Sequence, residues 1–156
     1  MRVGIGFDAH RLRVGRELIL GGVRIEHHTG LEGHSDGDVL THAVIDALLG
    51  AAGLGDIGRL FPDTDPKYEG ADSLELLSVA VNTLRDGGYR VVNVDTTVIA
   101  QEPRLEKHVA RMAANLAERL QVEAVNVKAT SPEGLGALGR QLGIAAQAVV
   151  MIEPLV

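Results

Sequence analysis

Apolar residues recur at helical spacing from Val39 to Leu48 (Val39, Leu40, Ala43, Val44, Ala47, Leu48), directly after a polar loop, Gly33-His-Ser-Asp-Gly37. The chain is read as organised around this junction. The stretch Leu31 to Asp46 holds His34 and His42 with four acidic residues, Glu32, Asp36, Asp38 and Asp46. Ser35, Asp36 and Asp38 are each competent to cap the helix, because their side-chain oxygens accept its first free amide hydrogens. His42 then falls one turn inside the helix, and Asp46 one turn further along the same face. A histidine with a carboxylate four residues on is the pattern of a metal ligand with an orienting partner. It is also the pattern of a solvated pair.

A second element bears on that choice. Met1 to Phe7 alternates as a strand does and runs into Asp8-Ala9-His10-Arg11. Residues i and i+2 of a strand project to the same face, so Asp8 and His10 point together. With His42 from the helix they would make a three-ligand, zinc-type site with one position open, the arrangement of catalytic zinc. The other reading is a plain hydrogen bond between Asp8 and His10 at a strand end. With no cysteine in the chain, histidine and carboxylate are the only strong ligands on offer, and disulfides are excluded.

Composition excludes several classes. The 156 residues suit one domain, and with aromatics at 3% the core must be Val, Leu, Ile and Ala. No apolar run approaches the roughly 20 residues of a membrane span. No signal peptide is read at the N-terminus, and a cytoplasmic location is expected. The net charge of −6, without a basic cluster, argues against nucleic-acid binding. An acidic chain that binds a polyanion needs metal ions and local arginines to offset the repulsion.

Along the chain, Leu18 to Ile25 reads as a hairpin with a Gly-Gly turn, and His27-His28 as solvent-exposed loop. Gly53 to Gly58 and Gly134 to Gly139 both match G-x-G-x-x-G, but neither has the strand before and helix after that a dinucleotide site needs. Pro62 and Pro66 forbid a helix after the first, and a strand follows the second. The acid- and proline-rich loop Asp56 to Asp65 reads either as an ordinary surface loop or as a lid of backbone and carboxylate groups around a polyol. Helices are predicted from Asp72-Ser73 to Asp86 and from His108 to Leu120. Strands are predicted over Tyr89–Ala100, Val125–Thr130 and Gly143–Ile152. The order suits a single α+β domain, 1–156: a mixed sheet with helices on one face, and uncovered sheet surface that favours an oligomer.

The blocks Gly6-Phe-Asp-Ala-His10-Arg, Gly33-His-Ser-Asp-Gly-Asp, Asp46-Ala-Leu-Leu-Gly-Ala-Ala, Gly55-Asp-Ile-Gly, Leu60-Phe-Pro-Asp-Thr-Asp and Val125-Asn-Val-Lys-Ala-Thr resemble the 2-C-methyl-D-erythritol 2,4-cyclodiphosphate synthase family, from Met1 to about Ile152. That resemblance implies a homotrimer with sheets facing the three-fold axis and active sites between neighbours. It implies an enzyme of the non-mevalonate route that cyclises a cytidine diphosphate ester of methylerythritol 2-phosphate and releases CMP. Asp8, His10 and His42 match the zinc ligands, and Glu133 matches the residue binding a second ion, magnesium or manganese. His34 and Ser35 match positions that hold the reacting phosphate, with Ala9 beside the ligands. Asp56, Ile57, Gly58 and the run Phe61, Pro62, Asp63, Thr64, Asp65 match contacts to the methylerythritol. Ala100, Gln101, Glu102, Pro103, Arg104, Leu105 and Glu106, with Thr130, Ser131, Pro132 and Glu133, match the cytidine and diphosphate pocket, supplied partly by the neighbouring subunit. Ala137 and Arg140 extend the substrate-binding set. His34 and the Ser131 hydroxyl would steady the transferring group.

Four positions depart from the pattern. Ser131 and Pro132 differ from the usual pattern, Ser131 keeping the hydroxyl of the usual threonine. Gly139-Arg-Gln-Leu-Gly143 carries Leu142 where an acid is usual, and Ala137 replaces a large apolar residue. The last two put in doubt an isoprenoid diphosphate in the axial cavity. Rival readings of the same residues are a zinc phosphodiesterase or pyrophosphatase, and a noncatalytic nucleotide- or metal-sensing trimer.

Overall fold

In the computed structural model, which describes residues 1–156, the long strand β1 (Arg2–Val14) runs antiparallel to the C-terminal strand β7 (Gly143–Pro154). Between them in the chain come β2 (Leu18–Leu20), β3 (Val23–Ile25), β4 (Thr29–Leu31), α1 (Val39–Ala52), α2 (Ile57–Leu60), a 3₁₀ turn (Pro66–Tyr68), α3 (Ser73–Asp86), β5 (Tyr89–Ile99), α4 (Val109–Leu120), β6 (Val125–Thr130) and α5 (Gly136–Gly139). The main sheet has the order β4-β1-β7-β5-β6. It is mixed: β5 and β6 pair in parallel through a crossover that contains α4, and β7 pairs antiparallel with both β1 and β5.

The core lies on one face. Ile144, Ala146, Ala148, Val150 and Ile152 of β7 are fully buried, opposite His10, Asp8, Gly6, Gly4 and Arg2 of β1. Val94, Thr96 and Val98 of β5 continue the same face. Against it lies α1, buried on nearly every side, with Asp46 and Gly50 as its outward positions. The fit is backbone to backbone. A Cβ on Gly4 would sit 2.0 Å from the Ala47 carbonyl oxygen, and one on Gly6 1.9 Å from that of Ala43. The α3 and α4 helices complete the layer, α4 through Met112, Leu116 and Leu120.

The opposite face is uncovered in the single chain. Val3, Ile5, Phe7 and Val149 stand 42–63% exposed there. Farther along that sheet the surface turns polar, where Lys128 and Asn126 both donate to Asp95.

Several sequence readings hold and several shift. The hairpin forms as β2 and β3, with Gly21 and Gly22 at φ 55° and 70°, the left-handed pair that a tight hairpin turn requires. Asp38 is the residue that caps α1, donated to by Thr41 N at 3.0 Å and Thr41 Oγ1 at 2.8 Å. It also accepts from Gly21 N and Gly22 N, which locks the hairpin turn to the helix start. β1 runs seven residues past Phe7, so Asp8 and His10 lie within a strand rather than at its end. β4 was not anticipated; it is only three residues long. One helical turn, α2, fits between Gly55 and Pro62, and Pro66 starts the 3₁₀ turn at a position where proline's missing N–H costs nothing. Similarly, α5 occupies Gly136–Gly139 before β7 begins. His28 is exposed as expected, but His27 is half-buried, its Nε2 shielded without a partner; burial and then the neighbouring His28 lower its pKa. No helix is long and apolar enough to cross a membrane.

The glycine contacts give a paired prediction. Gly6→Ala should cost about 3 kcal/mol or prevent folding, because backbone must move. Gly50→Ala, with nothing within 4 Å of the added Cβ, should stabilise by about 0.5–1 kcal/mol. Urea denaturation of both variants checks this.

Candidate active site and metal centre

Strand alternation and helix placement bring three ligand-type side chains to one point. His10 Nε2 lies 2.8 Å from Asp8 Oδ2, and His42 Nδ1 lies 3.1 Å from Asp8 Oδ2 and 3.2 Å from His10 Nε2. All three ligand atoms fall within 4.8 Å of one another. The close seat of α1 on Gly4 and Gly6 is what carries His42 down to the strand. Two imidazole nitrogens and one carboxylate oxygen, facing a cavity, are a donor set that fits a divalent ion such as zinc with a position left open.

The electrostatics fit the same reading. Burial alone raises the Asp8 carboxyl, but hydrogen bonds from His10 and His42, and their charges, outweigh it and hold it at about 2. The hydrogen bond to Asp8 raises His10, against an opposing effect of burial. With these shifts a proton on His10, beside the Asp8 carboxylate, takes the place that a cation would occupy.

The outer nitrogen of His42 does not meet Asp46, contrary to the sequence expectation of an orienting partner. Helical side chains lean toward the N-terminus, so the ring tips back to Ser35 and Ser73. Its Nε2 lies 3.0 Å from Ser35 Oγ and 2.8 Å from Ser73 Oγ. Asp46 instead accepts from Ile57 N at 3.1 Å, which anchors α2. Ser73 carried no sequence signal beyond its place at a helix start.

The ligands open into a cavity of about 220 Å³ lined by His34, Ser35, Ile57, Gly58, Phe61 and Asp63, with Tyr68 and Leu76 also in the wall. Tyr68 and Leu76 were not anticipated; Tyr68 packs edge-on against Phe61, rings 5.3 Å apart. His34 Nε2 donates to the Asp65 carbonyl at 3.1 Å. That bond ties the Phe61–Asp65 loop over the cavity and leaves His34 Nδ1 as the acceptor of a neutral ring. Asp56 caps α2 through Arg59 N at 2.8 Å. Pro62 and Thr64 are exposed in the loop, and Ala9 points to the opposite sheet face, away from this cavity.

The second group of expected residues forms a separate cavity of about 230 Å³, lined by Ala100 to Glu106 with Ala129, Thr130 and Ser131. It shares no lining residue with the first. Glu133 N donates to Ser131 Oγ at 3.1 Å, and Gly134 N to Gln101 Oε1 at 2.8 Å, which closes the loop Thr130–Gly134 on the Ala100 segment. Pro132 is half-buried in that loop, and Glu133 is exposed with φ 56°. Ala137 and Arg140 lie on or just after α5, exposed and in neither cavity.

Fold and site together define a protein built on a mixed α+β sheet with an Asp-His-His centre under a polar loop. The YgbB family model matches residues 1–153, and the chain belongs to that family. The 2-C-methyl-D-erythritol 2,4-cyclodiphosphate synthase of Syntrophomonas wolfei is 59% identical over 155 residues, which cover 98% of this chain and 99% of that protein. The bifunctional IspDF from Campylobacter jejuni superposes with a TM-score of 0.94 at 46% identity; the match covers 98% of this chain but only 42% of that longer one. The Plasmodium falciparum IspF in complex with CDP gives a TM-score of 0.86 at 32% identity, over 99% of this chain and 97% of the other.

The charge pattern predicts a pH signature for the chelated protein. A lowered Asp8 stabilises above its unfolded value of 3.8, and a raised His10 stabilises fully below its unfolded value of 6.5. The stability difference between wild type and Asp8→Asn should therefore be largest between those values. It should shrink as pH falls toward about 2 and as pH rises through the raised value of His10. Thermal melts of both proteins in chelator across pH check the two limbs.

Proposed function

We infer that this chain catalyses the intramolecular cyclisation of 4-diphosphocytidyl-2-C-methyl-D-erythritol 2-phosphate to 2-C-methyl-D-erythritol 2,4-cyclodiphosphate, with release of CMP, in the non-mevalonate route to isoprenoid precursors. It is a phosphorus–oxygen lyase. The observation that carries the reading is the convergence of Asp8, His10 and His42 at the floor of a cavity walled by His34, Ser35, Gly58, Phe61 and Asp63. A cytoplasmic location accords with a small-molecule biosynthetic role.

The attacking group is a phosphate monoester, largely dianionic near neutral pH because its second pKa is about 6. The nucleophile is the substrate's own phosphate, so a strong general base is unnecessary and the Ser35 hydroxyl beside His42 Nε2 need not attack. The barrier is the approach of one anion to another. A divalent ion held by Asp8, His10 and His42 supplies charge screening and Lewis acidity toward phosphate oxygens. The protein's own groups do the positioning. His34, fixed by its bond to Asp65, and the half of the cavity formed by Ser35 hold the 2-phosphate. Asp56, Ile57, Gly58 and the Phe61–Asp65 loop hold the polyol. Ser131 Oγ already accepts from Glu133 N, so its hydroxyl proton is free to be donated to a phosphate oxygen. Orienting both ends of one molecule in this way lowers the barrier by several kcal/mol. Glu133 belongs to no group of three carboxylate or histidine ligands in this chain. A magnesium or manganese ion there would take its other ligands from phosphate and water.

The separation of the two cavities supports an assembly in which the Ala100–Glu106 and Thr130–Glu133 pocket of one subunit completes the metal cavity of the next. The uncovered Val3, Ile5, Phe7 and Val149 face supports a homotrimer closed around that face.

Two tests follow. Phosphorus NMR with the cytidine diphosphate substrate should show CMP and a cyclic diphosphate, both lost on chelation and in His42→Ala, with that variant still folded. Open-chain phosphates would mean a hydrolase, and no turnover with any divalent ion a binding protein. Phe7→Glu should shift sedimentation from trimer to monomer and remove activity, although Phe7 touches neither cavity. An active monomer would rule out the shared site.

A further inference from the structure

We propose that Asp36 and Ser73 are positioning residues that fix the proton of His42 on Nε2 and so hold Nδ1 as a free ligand atom. The proposal rests on the metal-site reading above. Ser73 is fully buried at the first turn of α3, and its hydroxyl has one proton to give. Asp36 takes that proton in a hydrogen bond: Ser73 Oγ donates to Asp36 Oδ1, and Ser73 N donates to Asp36 Oδ2 at 3.0 Å. Asp36 also accepts from Asp38 N at 3.1 Å. As a carboxylate it has no proton to offer in return, so the direction of the Ser73 hydroxyl is set.

The consequence reaches the ring. With its proton committed to Asp36, Ser73 Oγ can act toward His42 Nε2, 2.8 Å away, only as an acceptor. Nε2 must then carry the hydrogen, and the lone pair of a neutral ring is left on Nδ1. That is the nitrogen facing Asp8 and His10. Ser35 Oγ, 3.0 Å from the same Nε2, is a second acceptor but has no carboxylate behind it. Its own proton can go to Ser73 Oγ, 3.5 Å away, or to a bound phosphate. The two serines around one nitrogen thus divide the work: Ser73 orients the ring, and Ser35 faces the cavity. The chain of three groups spans the loop before α1, the start of α3 and the first turns of α1. Ser73 lies 31 residues from His42, which is why spacing alone pointed to Asp46.

The test is zinc affinity, read by competition with a chromophoric chelator, together with nitrogen-15 NMR of the His42 ring in the zinc-loaded protein. Ser73→Ala should weaken zinc by about 10- to 100-fold and lose the slowly exchanging Nε2–H signal of His42. Asp36→Asn should do the same in direction, because an NH2 at the Oδ1 position donates to Ser73 Oγ and turns its hydroxyl away, and one at the Oδ2 position confronts Ser73 N–H and displaces the α3 start. Circular dichroism confirms that each variant is folded; having two variants keeps the test decisive if one is not. Affinities within about twofold of wild type, with the Nε2–H signal retained, would overturn the relay while leaving the metal site intact. A wild type that binds no zinc, or a His42→Ala variant that binds it as tightly as wild type, would overturn the metal-site reading and the relay with it.

Discussion

The approach of α1 to β1 decides the rest of this structure. Gly4 and Gly6 leave no side chain between strand and helix, and Ala43, Ala47 and Ala51 meet them with the smallest side chains that still favour a helix. At that distance a histidine on the helix reaches carboxylate and imidazole groups on the strand without an extended linker. A Cβ at Gly4 or Gly6 would sit 2.0 or 1.9 Å from a helix carbonyl oxygen, so helix and strand would have to move apart. The core and the metal centre therefore depend on the same contact.

The charged groups depend on where the backbone runs out of partners. Asp38 is fully buried, and burial, with Asp36 nearby, raises its pKa; four hydrogen bonds from Gly21, Gly22 and Thr41 hold it in place. It joins the hairpin to α1. Asp36, one turn of loop away, joins the same helix start to α3. Neighbouring aspartates thus serve opposite sides of α1, and the loop between Gly33 and Asp38 is held from both ends. His34 and Ser35 sit in the middle of that loop, where their geometry is fixed without packing in the core.

Much of this was legible in the sequence because it rests on period. The alternation through Asp8 and His10 and the helical stripe after Asp38 each follow from local geometry, and together they nominated the ligand triad. The hairpin followed from two glycines, and α3 from Asp72 and the Gly87-Gly88 stop. What sequence could not supply was direction. Spacing placed Asp46 on the face of His42, but the backward lean of helical side chains sends the ring to Ser73, 31 residues away. Nor does a strand of three residues such as β4 have enough length to show alternation. His27 looked exposed because its neighbours are polar; it lies in a loop as expected but is half-buried.

The two cavities have a consequence for how such a chain can change over generations. No side chain lines both, so the segment proposed to read a base and the segment proposed to hold an ion share no residue within one polypeptide. A drift at Arg104 or Glu106 alters one recognition surface without disturbing the ligand triad. A drift at Asp8, His10 or His42 leaves the other surface as it was. On the proposed function, base recognition and ion binding in this fold are therefore free to evolve at different rates.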